Sequence, residues 1–179
     1  LIYINDFPIA TDFDTFLFAD DTSLFLSDKS LDRLQERAQT ELDRVQEWFD
    51  ANKMQLNSGK TRFIIFNLTK ARRDEPFALK LGGEKLCRVS EQSEEKFVKL
   101  VGVKIDEEFS FKYHVSHVKA KLNSVNFVIA RSKNVLPPYI RMMVYNSLVR
   151  SVMEFACLLY GAAKKSVVGV LETIQKKIV

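Results

Sequence analysis

The sequence predicts an α+β fold, and three observations carry that reading. Up to about residue 110 the chain is a succession of short, β-prone runs broken by turn residues, with one strongly amphipathic helix among them. From about Phe111 the apolar spacing becomes helical and stays so. Charge divides along the same line: Lys112 to Val179 holds 11 basic residues and two acidic ones, Glu154 and Glu172, whereas the first 111 residues hold 16 basic and 21 acidic residues. An α+β unit over 1–110 with an appended helical unit over 111–179 is the expected organisation.

The elements follow in order. Thr15 to Ala19 and Thr22 to Leu26 are apolar runs flanking Asp20-Asp21, which predicts a hairpin with a tight acidic turn. Ser30 is placed to cap a long helix, with Leu31, Leu34, Ala38, Leu42, Val45 and Trp48/Phe49 on its apolar stripe and Arg33, Glu36, Arg37, Glu41, Asp43 and Glu47 on the other face. Trp48 and Phe49, ending that stripe, are expected in the core. Asn57-Ser58-Gly59 then leads into a β-like run from Thr61 to Phe66, followed by a polar stretch from Asn67 to Glu75. Phe77 to Leu81 and Glu84 to Val89 flank Gly82-Gly83, a hairpin signal. Phe97 to Ile105, holding Gly102, reads as one strand or a tight pair.

The helical part begins with a stripe through Val115, Val118, Leu122, Val125 and Ile129. Pro137-Pro138 ends that helix and opens the next, whose stripe is expected at Ile140, Met143, Val144, Ser147 and Leu148. A last helix follows Lys164-Lys165. His114 and His117 sit three apart with no further ligand in view, and a helix surface is expected for both.

With 46% hydrophobic and 28% charged residues the composition is globular and excludes a disordered chain. Cys87 and Cys157 have neither metal-ligand nor redox spacing, the usage of a reduced intracellular protein. No window approaches the ~18 consecutive apolar residues of a membrane span. The chain opens on Leu1 rather than Met and carries no signal-peptide pattern, so it reads as part of something longer. The basic C-terminal part fits a region lying against a polyanion; solvated helix faces give the same count, and charge alone does not choose between them.

Phe18-Ala19-Asp20-Asp21 carries the chemistry. Adjacent carboxylates resist joint ionisation unless solvent or cations share them, and Mg²⁺ takes one or two carboxylates together with substrate phosphates. A strand-turn-strand holding such a pair suits two-ion phosphoryl transfer. Asp-Asp in an exposed turn without function is the competing reading.

The surrounding motifs choose between them. Tyr3-Ile4-Asn5-Asp6-Phe7-Pro8, Phe18 to Thr22, Trp48 with Asn52 to Asn57, Lys60-Thr61 with its β run, and Leu100-Val101-Gly102-Val103-Lys104-Ile105-Asp106 occur in the order found in reverse transcriptases of non-LTR (LINE-type, jockey-like) retrotransposons, which the chain resembles over nearly its whole length. Leu136-Pro137, Tyr145 to Leu148 and Tyr160-Gly161 fit as well. The resemblance implies the C-terminal part of a polymerase palm over 1–110 and a helical thumb or connection region over 111–179. It implies an RNA-directed DNA polymerase, adding dNTPs to a DNA primer 3′-end along an RNA template with two Mg²⁺ ions, Mn²⁺ being a substitute. Asp20 matches the metal-binding aspartate of the palm hairpin and Asp21 its neighbour. Lys60 matches the lysine proposed to protonate leaving pyrophosphate; an exposed turn lysine is the alternative. Leu100 and Gly102 match the hairpin that holds the primer terminus, where a glycine lets backbone approach closely; an ordinary bulge is the alternative. Lys119, Lys121, Arg131 and Lys133 suit phosphate contacts that read backbone and shape. Phe16 and Phe18 are expected to pack beneath the palm, one of them near the nucleotide.

The family places a further metal-binding aspartate, with the fingers, upstream of the Asn-Asp-Phe-Pro segment. Asp12 and Asp14 are too close to the hairpin to replace it, so this chain alone is expected to be inactive. Partners implied are that upstream segment and an endonuclease domain of the same polyprotein, with no membrane; the expected location is nuclear, with a cytoplasmic ribonucleoprotein stage. A non-catalytic retroelement remnant that binds nucleic acid through its basic helices is the alternative of another class. An intron-encoded or retron polymerase shares the acidic box but matches the flanking segments less well.

Overall fold

The computed structural model describes residues 4–66, 68, 75–132 and 134–178. Tyr3, Lys133 and most of the polar stretch 67–75 lie outside the described residues. The fold is mixed α+β, with small antiparallel hairpins and a helical C-terminal part. Two compact units divide at Arg88/Val89, each with its own apolar core.

The first unit is organised by helix α1 (Leu31–Ala51). Its stripe at Leu31, Ala38, Leu42, Val45 and Phe49 is buried, at the spacing that one helix face requires. Ser30 occupies the N-cap position in extended conformation, but its side chain makes no capping bond. Its N–H instead donates to Asp28 Oδ1 at 3.0 Å, and Asp28 accepts from Arg37 Nη1 at 3.0 Å. The helix ends where the Asn52 amide donates back to the Trp48 carbonyl at 2.9 Å and Lys53 takes a φ of 56°. Phe7, fully buried, heads a single 3₁₀ turn (Phe7–Ile9) opened by Pro8. It packs on Trp48 and Phe49 with ring centroids 5.2 and 5.3 Å away, a burial worth about 2–3 kcal/mol.

Hairpins lean on this helix. Strands β1 (Asp14–Phe18) and β2 (Asp21–Phe25) are antiparallel, with Phe18 opposite Asp21. Strand β3 (Arg62–Ile64) pairs with β6 (Cys87–Val89), the strand in which the first unit ends. Strands β4 (Lys80–Leu81) and β5 (Glu84–Lys85) are joined through Gly82 and Gly83 at φ 59° and 84°, the doubly left-handed turn that the Gly-Gly pair predicts. The Gln39 side chain clamps β4 to the helix: its amide donates to the Lys80 carbonyl at 3.1 Å and accepts from the Lys80 N–H at 2.9 Å.

The second unit pairs β7 (Val98–Leu100) with β8 (Val103–Ile105) and packs them with α2 (Lys112–Ser132). Val103 enters the same core as Val115, Val118 and Leu122. This is why compactness divides the chain some twenty residues before the change of pattern near 110. Asp106, fully buried, ties hairpin to helix: it accepts from the N–H of Glu108 at 3.2 Å, the N–H of Ser110 at 3.0 Å and the Ser110 hydroxyl at 3.0 Å. Helix α3 (Pro138–Val144) runs on as a wider π segment (Tyr145–Arg150) and then α4 (Ser151–Glu154). The inward stripe is Ile140, Val144, Tyr145, Val149, Val152 and Met153. Met143 and Leu148, expected inside, are 63% and 47% exposed; the extra residue per π turn moves the buried position five on from Val144 to Val149. Helices α5 (Cys157–Tyr160) and α6 (Lys165–Ile178) complete the unit, with Leu171 and Ile174 buried in the shared core.

Glu41 departs from its expected solvent face. It is 6% exposed, and Oε2 accepts from the Thr11 hydroxyl at 2.9 Å and the Asp12 N–H at 2.8 Å, while Oε1 accepts from Arg44 at 2.8 Å. Burial pushes the carboxyl up, but the Asp12 N–H, the Thr11 hydroxyl and the Arg44 and Arg37 charges outweigh it and hold Glu41 below its ordinary value. A depressed carboxyl contributes stability that is present above its unfolded value and lost as pH falls through the folded one. Urea unfolding of Glu41→Gln should therefore show a loss of about 1.5–3 kcal/mol at neutral pH, and a smaller fall in stability on acidification than wild type. An unchanged acid limb in the variant would remove Glu41 as its source.

Candidate functional site

The acidic turn sits at the tip of the β1–β2 hairpin, one residue earlier than expected. Ala19 and Asp20 are the two turn residues, Ala19 at φ 55°, and Asp21 is the first residue of β2. A residue other than glycine held at positive φ costs on the order of 1 kcal/mol. Both carboxylates are exposed. Leu17 and Leu24 face the unit's core, so the alternation of the strand turns Phe16 and Phe18 outward. They are 63% and 60% exposed, where packing against the core of this unit was expected. Phe16 meets Phe25 edge-on at 5.3 Å. Asp12 is held 3.5 Å from Arg44.

Asp20 and Asp21 offer the hard oxygens that Mg²⁺ prefers. Among the described residues, however, no group of three His, Cys, Asp or Glu side chains stands where it could hold a metal ion. Among the described residues Asp20 and Asp21 alone supply fewer donors than a two-ion centre takes.

Lys60 closes the turn after Asn57. Its N–H donates to the Asn57 carbonyl at 3.1 Å and to Asn57 Oδ1 at 3.0 Å, while its side chain is exposed. Among the described residues no hydrogen bond or ion pair joins it to Asp20 or Asp21.

In the second unit, Val101 and Gly102 form the turn of the β7–β8 hairpin at φ 45° and 87°. A β-branched residue at positive φ is an outlier, and Val101 is also half exposed. Gly102 belongs to a regular two-residue turn, not to a bulge. A Cβ on it would stand 3.2 Å from the Phe155 ring. Leu100, opposite Val103, is half-buried.

The expected phosphate contacts on α2 do not share a face. Lys119 and Lys121 are both exposed but lie about 200° apart around the helix. Arg131 stacks on Phe127, 4.7 Å from the ring centroid, and Lys133 lies outside the described residues. What gathers instead is a column beginning at His114, a residue expected on the surface. His114 is 2% exposed; its Nδ1 accepts the Lys104 N–H at 3.4 Å, its ring lies 5.4 Å from that of Tyr160, and its Nε2 is buried without a hydrogen-bond partner. Burial, then the charges of His117, Lys104 and Lys121, holds His114 below its ordinary value. One signal of this burial is in the spacing: His114 immediately precedes Val115 and lies one turn before Val118 on the apolar stripe.

Comparison with family models, with curated proteins and with solved structures gives no match. No helix among the described residues is long and apolar enough to cross a membrane.

Two expectations follow from this geometry. Gly102→Ala meets both the positive φ and the Phe155 ring, and thermal or urea unfolding should show a loss of about 1 kcal/mol or more. Because folding holds His114 neutral, stability should fall as pH drops from the ordinary histidine value toward the lower folded one, where the unfolded chain alone takes up the proton. Urea midpoints at about pH 8 and about pH 5.5 should differ less in His114→Gln than in wild type; equal differences would clear His114.

Proposed function

We propose that the chain is part of an RNA-directed DNA polymerase of the non-LTR retrotransposon type, with Asp20 and Asp21 as two carboxylates of its Mg²⁺ centre and the second unit as a surface for the template–primer duplex. The observation that carries the reading is the hairpin with Asp20 at its exposed tip and Asp21 opening the returning strand, within the ordered set of motifs that the sequence presents. Lys60 as proton donor to pyrophosphate, and Leu100 with Gly102 as the hold on the primer end, belong to the same proposal. Nuclear action with a cytoplasmic ribonucleoprotein stage goes with it. A second reading is a nucleic-acid-binding retroelement remnant without catalysis, which the 11 basic against two acidic residues of Lys112 to Val179 would serve.

Primer extension on an RNA template with Mg²⁺, by the chain and by the reading frame in which it occurs, separates the two. Extension that Asp20→Asn abolishes supports the polymerase; its absence from both leaves the remnant. Binding is tested on the chain itself. RNA/DNA hybrid affinity should fall with salt at a slope of roughly −0.7 to −0.9 per phosphate neutralised. Changing Lys119, Lys121, Arg131 and Lys133 to Gln should weaken binding and flatten that slope, and Asp20→Asn should bind hybrid at least as well as wild type. An unchanged slope in the quadruple variant would remove α2 from the interface.

A further inference from the structure

In the second unit the β7–β8 hairpin packs Val103 and Ile105 toward α2, and Lys99 and Lys104 on the hairpin and His117 and Lys121 on the helix are its neighbouring basic residues. Lys99 and Lys104 are directly opposed across the ladder, a like-charge pair that repels on one hairpin face. The Lys104 N–H bond to His114 fixes that strand to the helix. His117 and Lys121 follow His114 at spacings of three and seven, on the same side of the helix. Lys104 reaches over the Phe97 ring, 4.5 Å from its centroid; Lys99 and Lys121 are exposed and His117 is half-buried. Among the described residues none of the four makes an ion pair with a carboxylate.

We propose that Lys99, Lys104, Lys121 and His117 form a binding site for one phosphate group of a nucleic-acid strand, and that His117 takes up a proton as the phosphate binds. The site rests on the proposed function for the strand as the source of its phosphate. Ammonium groups gathered without a carboxylate are matched by an anion, and charge-assisted bonds to phosphate are the strong ones. In the free protein, burial and then the charges of Lys104, Lys121 and Lys99 hold His117 below its ordinary value; His114 lies one turn before it on the same helix. A phosphate among the lysines offsets part of that positive charge and can accept a hydrogen bond from the protonated ring, and both effects favour the imidazolium. Proton uptake on binding requires, by linkage, that affinity rise as pH falls through the His117 range. A phosphodiester does not itself titrate there, so the pH dependence reports the protein.

The test uses the whole chain with a short RNA/DNA hybrid, with sulfate as a free anion, and with poly-glutamate. NMR titration of the His117 ring should show its midpoint moving up when hybrid binds. Hybrid affinity should be about fivefold higher near pH 5.5 than near pH 7.5 if that midpoint rises by about one pH unit. His117→Gln should bind like wild type at the higher pH and lose the gain at the lower one, while Lys99→Gln/Lys104→Gln should bind more weakly at both. Hybrid that binds without moving the His117 midpoint, or His117→Gln that keeps the gain, overturns the site and leaves the proposed function standing. Sulfate moving His117 while hybrid binds at no pH overturns the strand as ligand and counts against the proposed function. Poly-glutamate moving His117 as far as hybrid overturns the phosphate chemistry.

Discussion

A pair of strands joined by a two-residue turn has one face to hide and two open edges, and in isolation it is marginal in water. All the β-structure among the described residues is two-stranded, and β1–β2, β4–β5 and β7–β8 are hairpins of this kind. Each hairpin therefore depends on apolar burial beneath it, and the rest of the architecture answers that need. In the first unit α1 supplies a long stripe, and Leu17, Leu24, Leu81 and Leu86 gather against it. In the second, α2 takes Val103 and Ile105 from the β7–β8 pair into a core it shares with α6. The alternation of the strand then decides what faces outward: the Phe16 and Phe18 side of one hairpin, and the Lys99 and Lys104 side of the other.

Apolar periodicity was legible because burial area is large and depends on spacing alone. The stripes of α1 and α2, the Gly82-Gly83 turn and the β1–β2 and β4–β5 hairpins could be read without tertiary information, whereas the run from Phe97 to Ile105 read as one strand or a tight pair. Register was less legible. Placing the turn at Ala19–Asp20 instead of Asp20–Asp21 shifts the pairing by one, and no local propensity favours alanine at positive φ; the decision comes from which side chains the core takes. The phase of the helix after Pro138 is likewise set by the π segment, which the apolar pattern does not announce.

Buried polar groups were the least legible part of the chain. Glu41 and His114 sit beside apolar stripes, at positions where a pattern argument assigns solvent. What makes their burial tolerable is partners distant in sequence: Thr11 and Asp12 lie about thirty positions before Glu41, and Lys104 lies ten before His114. A buried acceptor is affordable only when such donors arrive, and their arrival is a property of the fold, not of the segment. The candidate site divides in the same way. The acidic tip was visible as a motif, whereas the pairing of Lys99 with Lys104 follows from hairpin register and the row His114, His117 and Lys121 from helix phase.

Strain and polar anchoring concentrate in one stretch of the second unit. Val101, Phe109 and Phe111 all hold positive φ within eleven residues, each at a cost on the order of 1 kcal/mol or more. Between them Asp106 accepts three hydrogen bonds from the turn that follows it, and His114 receives the Lys104 N–H. A backbone left to its own preferences would relax at these positions, so the surrounding contacts must over-determine them. Their joint effect is to hold the β7–β8 hairpin at one level against α2, with opposed lysines on its outer face. Natural sequences break local rules chiefly where function or strain requires it, and in this unit the breaks flank the hairpin on which Lys99 and Lys104 stand opposed.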